Sequence, residues 1–401
     1  FSSYCSAYAQ GPYCSFCEKR FFKRDSRCRR CDNSVHAVST QAWVILGIVL
    51  VLMLVYIAFP VFRMEWVTDK AQEARDEFLQ LKTKLKITIV SYQILTRLPL
   101  QMPIISYPLV VTTLYREVAV LASLELFELF PTECLQSRMH NRYLDELLVT
   151  TLAPLGVILA GALYYAYKCR VLQGDKIRKE MLSNLVLFYF FLFTYIIFIP
   201  CTNKILEVYN CDHRVGRDTV FLRADYTTRC FKPTWRAMSV YASAFIFIYP
   251  IGIPALYFAV LFRRRHDINP DLPSTGKKAR MSESRDDVDK AVSIRSMDRT
   301  LDPLQFLIES YEPEFWWWEL LVCVHRLMMG CVHIYLASQP VAMPCILLII
   351  SLIGVKFHLS YSPYIIDSDD LLAEICQWQQ VGFLVVSIMF QTGAASSSSG
   401  W

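Results

Sequence analysis

Apolar segments of membrane-spanning length recur along the chain, separated by polar stretches. A bilayer core about 30 Å thick needs roughly 20 apolar residues in a helix, so each such segment is a candidate span. About eight segments fit, some of them short: residues 43–62, 87–98 with a continuation to 108, 148–167, 185–201, 241–262, 316–336, 341–355 and 377–390. The pattern predicts an all-α polytopic membrane protein with about eight transmembrane helices and a small disulfide-rich N-terminal module.

Two of these segments contain prolines, which remove a backbone N–H donor and bend a helix. The second segment is broken by Pro99, Pro103 and Pro108. The fifth contains YPIGIP at residues 249–254 and ends at three arginines, residues 263–265. We expect a kinked or partly unwound span at both places.

The segment over residues 311–336, YEPEFWWWELLVCVHRLMMGCVHIYL, differs from the other predicted spans in its aromatic start. Trp316, Trp317 and Trp318 are typical of interfacial anchors, because an indole has an apolar body and one N–H donor. The sequence therefore predicts a membrane helix whose tryptophan rim lies at the membrane–water boundary.

Three intramembrane polar residues follow that rim, Glu319, His325 and Arg326. Arg326 lies ten residues past Trp316, which is about 15 Å along a helix and near the middle of the bilayer. A guanidinium facing lipid is costly, so we expect it to point inward and meet a carboxylate, a helix-end carbonyl or a buried water. We expect Glu319 to have a separate partner, an arginine or a tyrosine hydroxyl. A role in gating or in an ion pathway is the alternative to a packing role.

The polar stretches between spans predict surface segments. Residues 65–86 spread their charges over a helical pattern, as in an amphipathic interfacial helix. Residues 263–304 have no apolar period and predict a flexible, polar cytosolic linker, with Ser282 and Ser284 as a candidate kinase target. Residues 367–374 predict an acidic turn on the inner side. The predicted order is a module over 1–42, five spans over 43–262, the linker over 263–304, three spans over 305–392 and a low-complexity tail over 393–401.

A weaker amphipathic stretch over residues 109–147 is notable for its acidic side chains. It carries Glu117, Glu125, Glu128 and Glu133. These glutamates form either an acidic vestibule that gathers cations or the wet face of an interfacial helix. A solvent-exposed acidic face of an interfacial helix is the more ordinary interpretation. A vestibule that attracts cations is the interpretation that implies a function.

Residues 1–42 hold five of the fourteen cysteines of the chain. Four of the five stand in two C-x-x-C pairs: Cys14, Cys17, Cys28 and Cys31. This spacing fits a four-thiolate zinc ribbon and equally a disulfide-stapled module. Directly before a membrane span, the sequence favours disulfides and an extracytosolic location. The odd count leaves Cys5 to pair with a residue upstream.

Cys211 and Cys230 flank one compact loop, CDHRVGRDTVFLRADYTTRC. An oxidising compartment would permit a bridge between them, which we predict, and two free thiols are the alternative. With the module outside, eight crossings return the C-terminus to that side. Basic residues support this orientation only weakly, since residues 263–299 hold ten Lys and Arg on the inner side and residues 202–237 hold seven on the outer side.

Composition agrees with a membrane protein. Hydrophobic residues make up 54% of the 401 residues and charged residues 19%, with a mean hydropathy of +0.31. The formal charge of +5 is too small for this length to support nucleic-acid binding. The expected partners are therefore the lipid bilayer and other membrane protein subunits, in a homo-oligomer or a larger complex.

Motifs for enzyme chemistry are missing from the sequence. It contains no phosphate-cradling glycine loop, nucleophile elbow or paired-histidine metal motif. His325 and His333 are eight residues apart and would share a helix face, which suits haem or metal ligation but more often means two polar residues packed in a bundle. We expect no catalytic activity, no metal and no cofactor.

Residues 86–390 resemble the membrane region, labelled transient-receptor-potential-like (TRP-like), of large protist proteins. The resemblance rests on KITIVSYQIL, FLRADYTTRC, YPIGIPALYF, ESYEPEFWWWELLVCVHRLMMG and SPYIIDSDDLLA, in that order and spacing. Those proteins commonly place cysteine-rich modules of the epidermal-growth-factor or ephrin-receptor-like kind just before the first span. The N-terminal module of this chain is similar to these.

The resemblance implies a cation channel or a membrane sensor subunit. A tetrameric cation channel of this superfamily carries a re-entrant helix and filter between its last two pore helices, and residues 337–340 are too short for one. The acidic turn at residues 367–374 is longer, but the predicted topology places it inside. The alternative function is therefore a non-conducting structural or accessory subunit of a larger membrane assembly.

Overall fold

The computed structural model of the protein describes residues 5–18, 21–24, 27–30, 69–102, 105, 107, 142–171, 176–213, 219–272, 285–336, 339 and 341–393. Several predictions fall outside these residues. They concern the first span over 43–62, Cys31, the candidate kinase serines Ser282 and Ser284, and the acidic side chains Glu117, Glu125, Glu128 and Glu133.

Helices dominate the described chain. They are α1 (Asp69–Leu95), α2 (Leu98–Gln101), α3 (Arg142–Val171), α4 (Lys176–Glu207), α5 (Pro233–Ile246), α6 (Gly252–Arg263), α7 (Arg265–Ile268), α8 (Arg285–Met297), α9 (Gln305–Ile308), α10 (Trp318–Tyr335), α11 (Ala342–Tyr361) and α12 (Asp367–Gln391). Short 3₁₀ helices cover Pro12–Cys14, Arg299–Leu304 and Pro313–Phe315. The strands are β1 (Ala9–Gln10), β2 (Phe16–Cys17), β3 (Phe21–Arg24), β4 (Arg27–Arg30), β5 (Cys211–Asp212), β6 (Phe221–Leu222) and β7 (Asp225–Arg229).

Four described helices are long and apolar enough to cross a membrane. They are Tyr143–Val171 within α3, Lys176–Glu207, Ala342–Tyr361 and Asp367–Gln391. These correspond to the predicted third, fourth, seventh and eighth spans, and all four are longer than the apolar runs alone indicated. The polar residues at their ends continue the helices because backbone hydrogen bonding does not stop where hydropathy falls. Eight spans are therefore not shown, and four candidate spans are.

The predicted fifth span is two helices, α5 and α6, of which α6 is apolar but too short to cross a bilayer alone. The break lies at Pro250, which has no N–H to donate. The next N–H, of Ile251, reaches back to the carbonyl of Ile246 at 3.1 Å and so skips one residue of the helical pattern. A Cβ on Gly252 would lie 2.6 Å from the carbonyl oxygen of Phe247, so this close approach requires glycine.

The predicted second and sixth spans also differ from the four candidates. Residues 87–95 are the end of α1, a helix of 27 residues whose first half is strongly charged. Helix α10 has 18 residues and spans about 27 Å, but it carries Glu319 and Arg326. Its length is close to a bilayer core, so α10 is a helix of near-spanning length with charges inside it.

The described residues divide into two compact units. The first comprises residues 1–100, 107–146 and 210–236, and the second comprises residues 101–106, 147–209 and 237–401. The N-terminal part of the first unit is built on two small antiparallel sheets, β1–β2 and β3–β4. In that part, Gly11 has φ +79° and faces the ring of Phe16 so closely that a Cβ would collide with it.

Disulfides join Cys5 to Cys14 and Cys17 to Cys28. The prediction that Cys5 pairs with a residue upstream is therefore wrong, since its partner lies nine positions later. Cys14 and Cys17, which form one C-x-x-C pair, belong to different bridges. These bonds occupy three of the four sulfurs that a zinc ribbon would need, those of Cys14, Cys17 and Cys28. A domain this small needs such covalent links, since it buries little apolar surface.

A disulfide hairpin formed by β5, β6 and β7 also belongs to the first unit. Cys211 is bonded to Cys230, as the sequence predicts. The hydroxyl of Tyr226 donates to Oδ2 of buried Asp212 at 3.0 Å. Burial raises the pKa of Tyr226 to about 12, and the hydrogen bond to Asp212 adds to the shift. The hydroxyl thus remains a donor at neutral pH.

In the second unit, α11 and α12 make the most extensive helix–helix contact of the described chain. They are joined by residues 362–366 and pack antiparallel, with Gly354 level with Gln377. Buried positions recur at helical spacing on both sides: Leu347, Ser351 and Val355 on α11, and Ala373, Gln380 and Leu384 on α12. This repeat is the seam of an antiparallel helix pair.

The described residues of the predicted flexible linker over residues 263–304 are largely helical, in α7, α8 and the 3₁₀ helix Arg299–Leu304. Within this linker, α8 packs Val288 and Ala291 against Leu272 in a small buried cluster. The predicted acidic turn at residues 367–374 is also helical and forms the start of α12. Carboxylates are favourable at a helix N-terminus because they interact with the helix dipole, which explains why an acidic sequence is helical there.

The hairpin disulfide gives a first prediction. Because the bridge closes a loop with a sequence separation of 19, Cys230→Ser should lower the free energy of unfolding by about 3 kcal/mol. Cys345→Ser, which changes an exposed free cysteine, should have no effect. Unfolding of the purified full chain under non-reducing conditions measures both. Equal stability of the wild type and Cys230→Ser would exclude the bridge as a stabilising link.

Candidate functional site within the membrane helices

The aromatic start of α10 lies partly inside the protein. Trp318 is fully buried and packs edge-on against His358 and near Tyr361, at centroid distances of 5.1 and 6.1 Å. Trp316 and Trp317 are only half-buried. The prediction that all three tryptophans form an interfacial rim is wrong for Trp318, because the helical period turns that side chain toward α11.

Glu319, one residue further, is fully buried and accepts a hydrogen bond from the hydroxyl of Tyr311 at 2.9 Å. Tyr311 is 2% exposed and forms an isolated β-bridge with Tyr364. The sequence offered an arginine or a tyrosine hydroxyl as the partner of Glu319, and the structure provides the hydroxyl. A charge-assisted hydrogen bond of this kind is among the stronger side-chain contacts.

Arg326 is 1% exposed and points into the bundle, as expected. Its guanidinium carbon lies 4.6 Å from the ring centroid of Tyr195 and 5.8 Å from that of Phe198, both on α4. The negative faces of aromatic rings stabilise a cation where water is excluded. This contact was not predicted from the sequence, although the aromatic run LFYFFLFTYIIF of α4 was the signal for it.

His325 turns toward α11 and α12, away from α4. A Cβ on Gly354 would lie 3.0 Å from Nε2 of His325 and 3.2 Å from Oε1 of Gln377, so both polar atoms close around this glycine. The carbonyl oxygen of Gly354 lies 3.1 Å from Nδ1 of His358. Three helices thus bring a histidine and an amide to one glycine.

Four buried polar atoms in this region have no hydrogen-bond partner among the described residues. They are Nε2 of His325, Oε1 of Gln377, Oγ of Ser351 and Oε1 of Gln380. Ser351 precedes Gly354 by three residues and Gln380 follows Gln377 by three, so the antiparallel register sets these two side chains at one level. We call these four residues the polar layer.

Some other hydroxyls between the helices of the second unit are paired, whereas Oγ1 of buried Thr202 on α4 has no partner among the described residues. Thr194 and Tyr257 lie 2.9 Å apart through their oxygens, and the hydroxyl of Tyr249 donates to the carbonyl of Thr151 at 2.7 Å. Because most buried polar groups in proteins find a partner, the polar layer is unusual. The acceptor oxygens of the polar layer can be satisfied by small hydrogen-bond donors. Ordered water is the usual donor in such sites.

The described residues contain no group of three or more His, Cys, Asp and Glu side chains that would hold a metal ion. The side chain of His333 lies outside the described part, so joint ligation by His325 and His333 stays a hypothesis. The prediction that the intramembrane polar residues lie inside the bundle is met for Glu319 and Arg326, which are both buried.

Taken with the fold, these buried charges and apolar helices define an integral membrane protein in broad terms. Comparisons with family models, with curated proteins and with solved structures found no match. The resemblance to TRP-like membrane regions therefore rests on the sequence motifs alone.

Arg326 provides a test of this site. Arg326→Leu loses the contact with both aromatic rings, so we expect the free energy of unfolding to fall by about 2 kcal/mol. Arg326→Lys keeps a cation near the rings and should lose less. Met328→Leu, at an exposed position of the same helix, is the matched control. If Arg326→Leu unfolds like the control, the guanidinium does not stabilise the bundle.

The close approach of His325 and Gln377 to Gly354 gives a second test. Gly354→Ala forces one of these side chains to move, and overpacking of this kind lowers the free energy of unfolding by about 1–3 kcal/mol. Gly382→Ala on α12 has open space around its Cβ and should be neutral or slightly stabilising. Thermal unfolding compares the two variants. A Gly354→Ala variant as stable as Gly382→Ala would mean that side chains from α10 and α12 do not pack closely against Gly354.

Proposed function

We propose that the chain is a TRP-like membrane protein that acts as a cation-channel or sensor subunit. In this proposal, the disulfide-bonded parts face the extracytosolic side and the helices of the second unit respond within the membrane. The observation that carries the proposal is the polar layer, a set of buried polar atoms that suits water inside apolar helices. A hydrated layer is what a bundle needs if it is to pass or sense cations.

The proposed orientation is supported by disulfides and basic residues. In the first unit, the rings of Tyr13 and Tyr226 meet edge-on at 5.6 Å, which favours one side of the membrane for the module and the hairpin. Helix α4 ends just before the hairpin and would therefore run outward. Basic residues gather around its start and the end of α3, as expected of a cytosolic turn: Lys168, Arg170, Lys176, Arg178 and Lys179.

Helix α10 is the element best suited to change its position when the protein senses a stimulus. It carries a buried negative and a buried positive residue, Glu319 and Arg326, and each meets a different part of the protein. A rotation or shift of α10 would break both contacts together. Two discrete arrangements of this helix, with these contacts made or broken, would give the bundle two states.

The second candidate function is a non-conducting accessory subunit, and one observation favours it. Helix α3 is the least buried of the four candidate spans, and Val157, Leu159 and Leu163 on it are 55%, 61% and 63% exposed. Such a surface suits lipid and equally suits the helix of a neighbouring subunit. The short connection between α10 and α11 also agrees with this function.

Ion flux into vesicles separates the two functions. The purified full chain, reconstituted in vesicles, should raise cation flux above that of protein-free vesicles. Gln380→Leu removes an acceptor from the polar layer and should lower the flux several-fold, because the layer would hold less water. Leu371→Val, at an exposed position of the same helix, should leave the flux unchanged.

Two results would change the proposal. Flux equal to that of protein-free vesicles, with the native chain purifying in a larger assembly, would favour the accessory function. Flux that Gln380→Leu and Leu371→Val reduce equally would mean that the polar layer does not carry it.

A further inference from the structure

The segment before α10 pairs with the turn between α11 and α12. The N–H of Glu312 donates to the carbonyl of Pro363 at 2.9 Å, and the N–H of Ile365 donates to the carbonyl of Ser310 at 3.2 Å. Tyr311 and Tyr364 are the bridge partners at the centre. We call residues 310–312 together with residues 363–365 the junction. Its backbone bonds tie the start of α10 to the α11–α12 hairpin.

A carboxyl group is buried in this junction. Glu312 is only 7% exposed, and its Oε2 has no hydrogen-bond partner among the described residues. Burial of a carboxylate without a partner is strongly unfavourable, whereas a protonated carboxyl can donate a hydrogen bond. The position of Glu312 therefore favours the protonated form.

A second carboxyl reaches the same place from α12. Oδ1 of Asp370 accepts a hydrogen bond from the N–H of Tyr364 at 3.2 Å, and the backbone N–H of Glu312 binds the preceding residue, Pro363. The side chain of Asp370 and the backbone of Glu312 thus bind neighbouring residues of the turn. Like charges held together in a site of low polarity raise the free energy of the doubly ionised state.

The arginines around the junction already have acceptors. Arg285 binds Asp367 through Nη1, at 3.2 and 3.3 Å to its two oxygens, and both side chains are exposed. Arg295 is buried and donates from Nη1 to the carbonyl of Tyr311 at 3.0 Å. Neither contact neutralises Glu312 directly. The charged groups that act on Glu312 are Asp370, Arg285, Glu314 and Asp367.

Electrostatics agree with this geometry. Burial raises the pKa of Glu312 to about 7, and the neighbouring Asp370 raises it further than Glu314 and Asp367 do, while Arg285 opposes the shift. Because the folded protein holds this proton more tightly than the unfolded chain does, the group stabilises the fold most at low pH. That stability is lost as the pH rises from the ordinary range of a glutamate through the raised pKa.

We propose that Glu312 is a proton-binding site, in which a proton on its buried carboxyl group holds the junction closed. Loss of that proton leaves a buried carboxylate under the influence of Asp370 and separates the start of α10 from the α11–α12 turn. Helix α8 contacts the junction through Arg295, which binds the carbonyl of Tyr311, and contacts the start of α12 through Arg285, which binds Asp367. Protonation of Glu312 thereby couples α8 to α10, whether the protein conducts ions or not.

The proton itself is measured by infrared difference spectroscopy of the purified full chain between about pH 5 and about pH 8. The wild type should show a carboxylic acid C=O band that disappears around the raised pKa of Glu312, near pH 7. Glu312→Gln should lose the Glu312 part of this band and keep only that of Asp370, whose pKa burial also raises to about 7, and Glu314→Gln, two residues away, should keep the whole band. A band that Glu312→Gln retains at full intensity, or a wild type without such a band, overturns the proposal.

Thermal unfolding over the same pH range gives a second readout. The wild-type Tm should fall as the pH rises, and Glu312→Gln should reduce that fall because its amide does not titrate. Asp370→Asn should reduce it too, since Asp370 then no longer titrates and no longer raises the pKa of Glu312. If Glu312→Gln does not fold, the wild-type infrared titration decides alone. A pH profile unchanged by both substitutions would contradict the site.

Discussion

Lipid offers no hydrogen bonds, so a polar group inside a membrane must find its partner within the protein. Helix α10 is where this constraint is strongest. Glu319 accepts a hydrogen bond from the hydroxyl of Tyr311, and the guanidinium of Arg326 lies over the ring of Tyr195. The two contacts fix the rotation of α10, because turning the helix would expose one charge or the other to lipid. The neighbouring helices are arranged around that orientation.

The other face of α10 meets the antiparallel pair of α11 and α12. Gly354 permits His325 and Gln377 to approach, and the polar layer continues from there. At the start of α10, the junction ties the same three helices through their backbones, and Arg295 of α8 adds a buried contact. On the proposed inner side, the junction thus combines backbone hydrogen bonds with carboxyl groups that bind and release protons. The polar layer lies deeper among the helices, and it is the part suited to hydration and to conformational change.

Sequence patterns predicted the features that depend on composition and local spacing. Apolar runs identified all four candidate spans, the two cysteines of one loop identified the bridge of Cys211 and Cys230, and the cost of a charge in lipid placed Arg326 inside. They did not predict features that depend on tertiary neighbours. The ring of Tyr195 under Arg326 and the β-bridge at Tyr311 join segments distant in sequence.

The errors have the same origin. Helix α8 was missed because its three buried residues, Val288, Ala291 and Arg295, give too weak an apolar period in a polar stretch. Trp318 was assigned to the interface by residue type, whereas its position on the inward face of α10 decided its burial. Cys5 was assigned an upstream partner because residues 1–42 contain an odd number of cysteines. The turn at Gly11 instead brings Cys14 to Cys5.

The pairing of buried polar groups on α10 is the central claim, and a double-mutant cycle on Tyr311 and Glu319 measures it most directly. Tyr311→Phe, Glu319→Leu and the double variant are compared by the free energy of unfolding of the purified chain, because leucine leaves no acceptor for the hydroxyl of Tyr311. A buried charge-assisted hydrogen bond predicts a coupling energy of about 1 kcal/mol or more, with the double variant less destabilised than the sum of the singles. Additive effects of the two substitutions would contradict the pairing and with it the orientation assigned to α10.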